Sequence, residues 1–326
     1  LNDSTLPPYE DNTSLTAMSY NENFSTFSGL FRNLDWMALT KFYGVNPSFR
    51  SENNIYEFDS SSGVFIIDGG GIDTISASLT YTDVYIDLRA GAHSYKGYQS
   101  NYISVANQLT ISEGSEIENV ETGFGDDLVI GNDLDNIIIT SSGDDSIFPD
   151  LGADIINAGL GSNFIDLSED KHSTDKVIIE NPNSRHDINT IYGFLQGVGG
   201  DVIEISGMSS SDLILLPLIE LTSIPAGLIN NSVVRIIGEN LDNVEIFSEA
   251  FYDGGFLANL EIHEGKNALI VSSNSQDIGE EQNIFQVTND SGSITVGHLI
   301  SLVGNYLDID LWSIDNFYDP DGTILV

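Results

Sequence analysis

Five consecutive nine-residue segments between Thr122 and Asp166 share one phase: TGFGDDLVI, GNDLDNIII, TSSGDDSIF, PDLGADIIN and AGLGSNFID. Nothing else constrains the fold as strongly, because a unit this short cannot bury its own apolar side chains and must stack on its neighbours. Position four is Gly125, Leu134, Gly143, Gly152 and Gly161; glycine there permits the positive φ or the close backbone approach of a tight turn. Position six is Asp127, Asn136, Asp145, Asp154 and Asn163, an oxygen-bearing side chain every time. Position eight is Val129, Ile138, Ile147, Ile156 and Ile165, which predicts a very short strand that points this β-branched residue inward onto its counterpart in the next coil. Two nines make one coil, so side chains of alternate repeats should meet. Asp127, Asp145 and Asn163 are expected on one edge, with Asn136 and Asp154 on the other. Val129, Ile147 and Ile165 should stack in one sheet, and Ile138 and Ile156 in the opposite one.

Such turns suit calcium, a hard ion that takes about six to eight oxygen ligands. Turn carbonyls and one carboxylate per turn can supply them. The pattern resembles GGxGxDxUx, the calcium-binding repeat of RTX proteins. Leu134 in place of glycine, and Asn at two ligand positions, predict weaker sites at those turns. An isolated earlier match is DGGGIDTIS, Asp68 to Ser76.

Charge supports a cation requirement. The chain carries 50 acidic and 10 basic residues, a net charge of −40, which argues against nucleic acid or an anionic membrane surface as a partner. Many of the acids sit at fixed spacings beside glycine rather than scattered over a surface. Hydrophobic residues make up 40% of the chain, too many for disorder throughout. There is no cysteine, so disulfides and thiolate metal sites are excluded. No stretch approaches the ~20 apolar residues of a spanning helix. A chain that opens on Leu1 without a visible signal peptide is expected to be a piece of a longer protein.

Along the chain, residues 1–26 read as polar loop. LFRNLDWMALTKFY, residues 30–43, is the best helix candidate: Leu30, Phe31, Leu34, Met37 and Phe42 fall near a 3.6-residue period and Gly44 ends the run. Strand texture then takes over at Tyr56–Phe58, Val64–Ile67 and Val84–Leu88. Residues 201–326 read as short strands, such as Val233–Ile237 and Ala268–Val271. The Tyr-rich stretch 92–102 reads as a strand and loop rather than a sugar platform. The expected class is all-β: a parallel β-roll with flanking strand regions and one short N-terminal helix.

Residues 64–133 carry FIIDGGGIDTI, VYIDLRAG, ISVANQLTI and EIENVETGFGDDLVIGND. In order and spacing these resemble the region that joins the protease domain to the β-roll in serralysins, secreted bacterial zinc metallopeptidases. FLQGVGGDVIEIS, Phe194 to Ser206, is a weaker echo of the segment after the roll. The resemblance implies two more calcium sites. One would use Asp68, Gly70 and Asp73 with an upstream turn that here reads Arg50, Glu52 and Asn54, a departure from the family's R-x-G-x-T. The other would use Gly71, Asp73, Glu116 and Glu118. TAMSY, residues 16–20, resembles the Met-turn beneath the zinc, with Met18 and Tyr20 at the matching positions. The helix before Gly44 then looks like the last helix of the protease domain. The resemblance divides the chain into 1–50 as the end of a metzincin-like protease domain, 51–121 as a β linker with calcium sites, 122–166 as the roll and 167–326 as a C-terminal β region. The closing DGTILV is similar to the ends of proteins exported by type I machinery.

The chain's histidines are His93, His172, His186, His263 and His298; no two are four apart, so there is no HExxH zinc helix. Zinc is expected only if an upstream protease segment exists. The first functional reading is a calcium-binding region of a type I-secreted, serralysin-like zinc metallopeptidase, folding on calcium after export and acting with a protein substrate. The alternative is a non-catalytic structural or adhesive protein of the bacterial surface, binding a cell-surface ligand and carrying a degenerate protease remnant. Another enzyme class with a similar roll, such as a lipase, is the third. All place the chain outside the bacterial cell.

Overall fold

The computed structural model describes Thr16, residues 33–58, 61–169, 171, 173–180, 188–196, 199–205, 214–215, 219–220, 227–228, 232–237, 260–264, 266–273, 281–291, 293–303 and 307. Two units divide the chain, residues 1–137 and 138–326.

The first unit holds the only helix among the described residues, α1 (Asn33–Tyr43). Asp35 sits in its first turn and Lys41 in its last, each favourable to the helix dipole. The Gly44 N–H donates to the Thr40 carbonyl at 2.8 Å with φ of 73°, a left-handed stop that glycine adopts without a Cβ penalty. Leu34, Asp35 and Thr40 are buried. The sequence expectation that Phe42 belongs to the buried face is corrected: it is 79% exposed. Phe42 lies two residues past buried Thr40, about 200° around the helix at ~100° per residue, so both cannot face inward.

Eight strands follow in this unit: β1 (Ile55–Glu57), β2 (Val64–Ile66), β3 (Thr74–Ser76), β4 (Val84–Asp87), β5 (His93–Lys96), β6 (Gln108–Ile111), β7 (Asn119–Glu121) and β8 (Leu128–Ile130). β1, β3 and β7 pair in parallel, setting Tyr56 opposite Ile75 and Ile75 opposite Val120. β4 and β8 pair in parallel with Ile86 opposite Val129. The β4–β5–β6 stretch is an antiparallel meander, and β6 pairs in parallel with β2. The Tyr-rich stretch is thus a strand and loop, with Tyr85 and Tyr95 stacked across β4 and β5.

The second unit continues with β9 (Ile137–Ile139), whose first residue closes the first unit, then β10 (Ser146–Phe148), β11 (Ile155–Asn157), β12 (Phe164–Asp166), β13 (Lys176–Ile179), β14 (Asn189–Tyr192) and β15 (Val202–Ile205). Odd strands β9, β11, β13 and β15 neighbour each other in one sheet, and even strands β10, β12 and β14 in another. Alternation of this kind is a coil: each turn of chain crosses from one sheet to the other and returns one strand further on. The pairs β10–β12, β11–β13, β12–β14 and β13–β15 are all parallel, with Ile147 opposite Ile165, Ile156 opposite Val177, and Val177 opposite Ile203. The position-eight residues Val129, Ile138, Ile147, Ile156 and Ile165 are fully buried, each contributing about 1.5–3 kcal/mol by leaving water. One outer face carries a row of aromatic rings, Phe148, Phe164 and Tyr192, at centroid spacings of 5.8 and 5.9 Å.

Beyond the coils lie β16 (Ile214–Leu215), β17 (Ile219–Glu220), β18 (Gly227–Leu228), β19 (Ser232–Ile237), β20 (Leu260–Glu261), β21 (Asn267–Ser273), β22 (Gln282–Asp290) and β23 (Ser293–Val303). Short strands were expected throughout this region. Instead β22 and β23 run for 9 and 11 residues as one antiparallel hairpin. Its buried residues, Ile284, Phe285, Val287, Val296, Leu299, Ile300 and Leu302, explain the length: a hairpin buried along much of its run needs no turn every few residues. β23 pairs in parallel with β14, so the hairpin caps that sheet's growing side.

Candidate metal-binding turns

Each strand of a coil is entered through a turn, and the residue two before the inward side chain heads that turn. In both units the backbone N–H of one turn head donates to the side-chain oxygen of the head one coil later. In the first unit, Asn54 N–H donates to Asp73 Oδ1 at 2.7 Å, and Asp73 N–H to Glu118 Oε2 at 2.7 Å. On the other side of that unit Val84 N–H donates to Asp127 Oδ1 at 2.8 Å. In the second unit the series into the even strands runs Asp145 N–H to Asn163 Oδ1 at 2.9 Å, then Asn163 N–H to Asn189 Oδ1 at 3.4 Å. The series into the odd strands runs Asp154 N–H to Asp175 Oδ1 at 2.9 Å, then Asp175 N–H to Asp201 Oδ1 at 3.0 Å. These side chains are rungs of a ladder, and apart from half-buried Glu118 they are buried, as are the other turn heads: Asp127 is 2% exposed, and Asn136, Asp145, Asp154, Asn163, Asp175 and Asp201 are each 1%.

Three rungs, Asp175, Asn189 and Asp201, were absent from the sequence reading. The coil grows from 18 residues at Asp145–Asn163 to 21 at Asp154–Asp175 and 26 at Asp175–Asp201, so the nine-residue phase is lost. A local signal survives. DKVI, NTIY and DVIE keep Asx two residues before a buried β-branched residue, here Val177, Ile191 and Ile203, without the glycines.

Glycine at position four is a steric requirement. A Cβ on Gly161 (φ 120°) would meet the Gly143 carbonyl oxygen at 2.0 Å. Gly143 and Gly152 share the positive φ, at 136° and 118°, and Gly125 is hemmed in by Asp83. Leu134, which replaces glycine in the second repeat, is half-buried.

The Asp68–Asp73 segment gathers its acids in the same unit. Asp68 and Asp73 are fully buried. Asp68 Oδ1 accepts the Gly70 N–H at 2.9 Å, Asp68 N–H donates to Ser115 Oγ at 2.9 Å, and the Tyr56 hydroxyl donates to Asp68 Oδ2. A Cβ on Gly71 (φ 141°) would meet the Glu52 carbonyl oxygen at 2.5 Å, so the divergent upstream turn still reaches this segment through its backbone. Burial pushes the Asp73 carboxyl up to about 6 against the pull of the Asn54 N–H, with Asp68 and Glu118 adding to the rise. Asp73 Oδ2 is buried with no hydrogen-bond donor. Glu118 is raised by burial and then by exposed Glu116 and by Asp68.

Burial likewise raises Asp127, with the Asp83 and Asp126 charges adding to it, and pushes Asp175 up to about 8, with Asp201 and Glu169 adding to it. Carboxylates held in this state gain from a cation or a proton. The donor set is all oxygen, and a hard ion fits it: Asp127, Asp145 and Asp154 with their turn carbonyls, and Asp68, Asp73 and Glu118 in the earlier segment. Among the described residues no three His, Asp or Glu side chains form a metal cage by themselves, and one carboxylate per turn with backbone carbonyls does not require one. Met18 and Tyr20 lie outside the described residues, as do His172, His186 and the closing DGTILV. His93 sits in β5, its ring nitrogens paired with Thr110 and Gln108, and His263 is exposed.

Short parallel coils with a buried Asx rung at each turn define an all-β, parallel β-roll protein. Over about 40% of its length the chain is serralysin-like. It is 34% identical over 150 residues to a serralysin of Proteus mirabilis, covering 40% of this chain and 29% of that protein. It is 32% identical over 148 residues to serralysin G of Dickeya chrysanthemi, 40% and 30% of the two, and 32% identical over 118 residues to the metallopeptidase AprA of Pseudomonas marginalis, 32% and 24%. The matches thus span less than a third of these relatives. No protein-family model matches the chain. Among the described residues no helix is long and apolar enough to cross a membrane.

Proposed function

We propose that this chain is the calcium-binding β-roll region of a secreted, serralysin-like metallopeptidase and that it folds when calcium fills its turns. The observation that carries the reading is the ladder of buried carboxylates, Asp73, Asp127, Asp145, Asp154, Asp175 and Asp201, in a chain with 50 acids and 10 bases. Calcium supplies the charge that these turns lack; the chain's own residues present the oxygens and hold the coils in register. Ordering a residue costs about 1–2 kcal/mol of backbone entropy. The coils offset this with one reliably inward aliphatic side chain per strand, so ion binding to the folded form alone tips the balance.

In a calcium-poor cytoplasm the chain stays unfolded and can pass an export channel, and millimolar calcium outside folds it. The linker sites, in this reading, are Asp68, Gly70, Gly71 and Asp73 with Glu118 and the backbone at Glu116. Peptide hydrolysis belongs to a zinc segment beyond residues 1–326, since this chain has no HExxH. The test is circular dichroism of the chain titrated with calcium and then with chelator. Calcium should raise the β signal and the melting temperature, and chelator should reverse both. An unchanged signal and melting temperature in excess chelator would overturn the reading.

A further inference from the structure

The turns headed by asparagine differ from those headed by aspartate in what fills their centre. Asn163 is 1% exposed. Its Oδ1 accepts the Asp145 N–H at 2.9 Å, the same stitch that Asp175 and Asp201 make in their series. Its Nδ2 faces three oxygens, donating to the Ala158 carbonyl at 3.1 Å, the Gly161 carbonyl at 3.4 Å and Asn189 Oδ1 at 2.8 Å. Both ends fix the amide: reversed, it would set oxygen against those three oxygens and N–H against N–H. Asn136, also 1% exposed, is likewise held at both ends of its amide. Its Oδ1 accepts the Asn132 N–H at 3.0 Å, and its Nδ2 donates to the Glu118 carbonyl at 2.8 Å and to Asn132 Oδ1 at 3.1 Å. Asn132 completes the plug, donating through Nδ2 to the carbonyls of Ile117 at 2.8 Å and Leu88 at 3.2 Å.

We propose that the turns headed by Asn163 and Asn136 are closed to cations by their own side-chain amides, so that calcium loads the aspartate-headed turns and not these. The proposal rests on the calcium reading above and sharpens it. At an aspartate-headed turn the side chain has only acceptors to offer, and the positive charge must come from outside. At Asn163 and Asn136 the amide N–H group already supplies the positive end of a dipole to the carbonyls that would otherwise coordinate an ion. A cation entering there would have to break these hydrogen bonds and would meet N–H groups rather than lone pairs. It would also gain no carboxylate charge, since the head is neutral. The sequence expectation of weak sites at these two turns becomes one of none. The second unit is then asymmetric. The series Asp145, Asn163, Asn189 holds itself together mostly by amides, whereas the series Asp154, Asp175, Asp201 depends on ions.

The experiment counts bound calcium by native mass spectrometry on the full chain at saturating calcium, beside melting curves with and without chelator. Asn163→Ala should keep the wild-type ion count and melt lower by a similar margin with and without calcium. Asn163→Asp should bind about one more ion, melt lower than wild type in chelator and recover in calcium. Asn136→Asp tests the second plug in the same way. Loss of an ion in Asn163→Ala, or an unchanged count in folded Asn163→Asp, overturns the proposal while leaving the calcium reading intact. Should Asn163→Asp fail to fold, the count in Asn163→Ala decides. A wild-type chain that binds no calcium at all sinks the underlying reading, and the proposal with it.

Discussion

The two series of turns in the second unit share a backbone and differ in chemistry. Asp145, Asn163 and Asn189 lead into the even strands; Asp154, Asp175 and Asp201 lead into the odd ones. Asn163, Asn189, Asp175 and Asp201 each accept the N–H of the head one coil before. One series carries a single carboxylate in three rungs and the other carries three. A coil therefore needs an acceptor at the turn head, but not a charge. The charge is a separate feature, and under the proposed calcium reading it sets the odd-strand series apart as the ion-dependent one.

Removing calcium tests that dependence most severely. An ion present at ~100 times its Kd adds about 2.7 kcal/mol, so losing a few removes an amount comparable with the ~5–15 kcal/mol stability of a domain. Chelation should lower the melting temperature of the coils by on the order of ten degrees or more, read by circular dichroism; a melting temperature that moves by only a degree or two would erase the distinction between the series.

Packing should not distinguish them. Ile147, behind Asp145, and Ile156, behind Asp154, are both fully buried. Ile147→Ala and Ile156→Ala should each cost about 2–5 kcal/mol in saturating calcium. If denaturant melts show one costing several times the other, the series differ in core support and not just in charge.

Proton binding gives a third handle. The folded chain without calcium holds the Asp175 proton up to about pH 8, because burial and then Asp201 and Glu169 disfavour its charge. The unfolded chain releases it near pH ~4. The native state binds more protons across that window, so stability of the calcium-free protein falls as pH rises from ~4 to ~8. Asp73, raised to about 6, adds to the lower part of the window. Melting in chelator should drop by several degrees between pH 5 and pH 8, and calcium should flatten the slope. A melting temperature that rises with pH in chelator would contradict the assignment of Asp175 as an uncompensated acid.

The smallest expected effect converts one series toward the other. Asp175→Asn keeps the acceptor for the Asp154 N–H and removes the charge. It should lower the ion count by about one and raise the calcium-free melting temperature by a few degrees, the counterpart of an amide-headed turn. A lower calcium-free melting temperature would mean that an amide cannot serve in that turn.

Much of the roll was legible because its rules are local. Glycine at position four, an oxygen at six and a β-branched residue at eight recur while the coil is 18 residues long, and Ile147 and Ile165 pair as that period requires. Legibility ended where loops lengthened. Asp175, Asn189 and Asp201 keep their places in the ladder although the spacing between rungs has grown to 21 and 26 residues. Their membership depends on which earlier N–H they meet, and no fixed period announces that. The β22–β23 hairpin escaped for a related reason: its length follows from how much of it is buried, and burial belongs to the packed chain.

The period, the inward aliphatic column and the acceptor at each turn head are written in the residues, because each follows from what a single short turn demands of its own side chains. It also spelled which heads are Asp and which are Asn. What that difference means depends on which groups the packed coils bring beside each head. Asn163 can stand in for an ion because its Nδ2 comes within 3.1 Å of the Ala158 carbonyl and 2.8 Å of Asn189 Oδ1, groups 5 and 26 residues away. Asp175 is acidic in the wrong place because burial and its neighbour Asp201, one coil on, oppose its charge. Hydrogen-bond satisfaction and desolvation are properties of neighbours in space, and neighbours exist only once the coils have stacked.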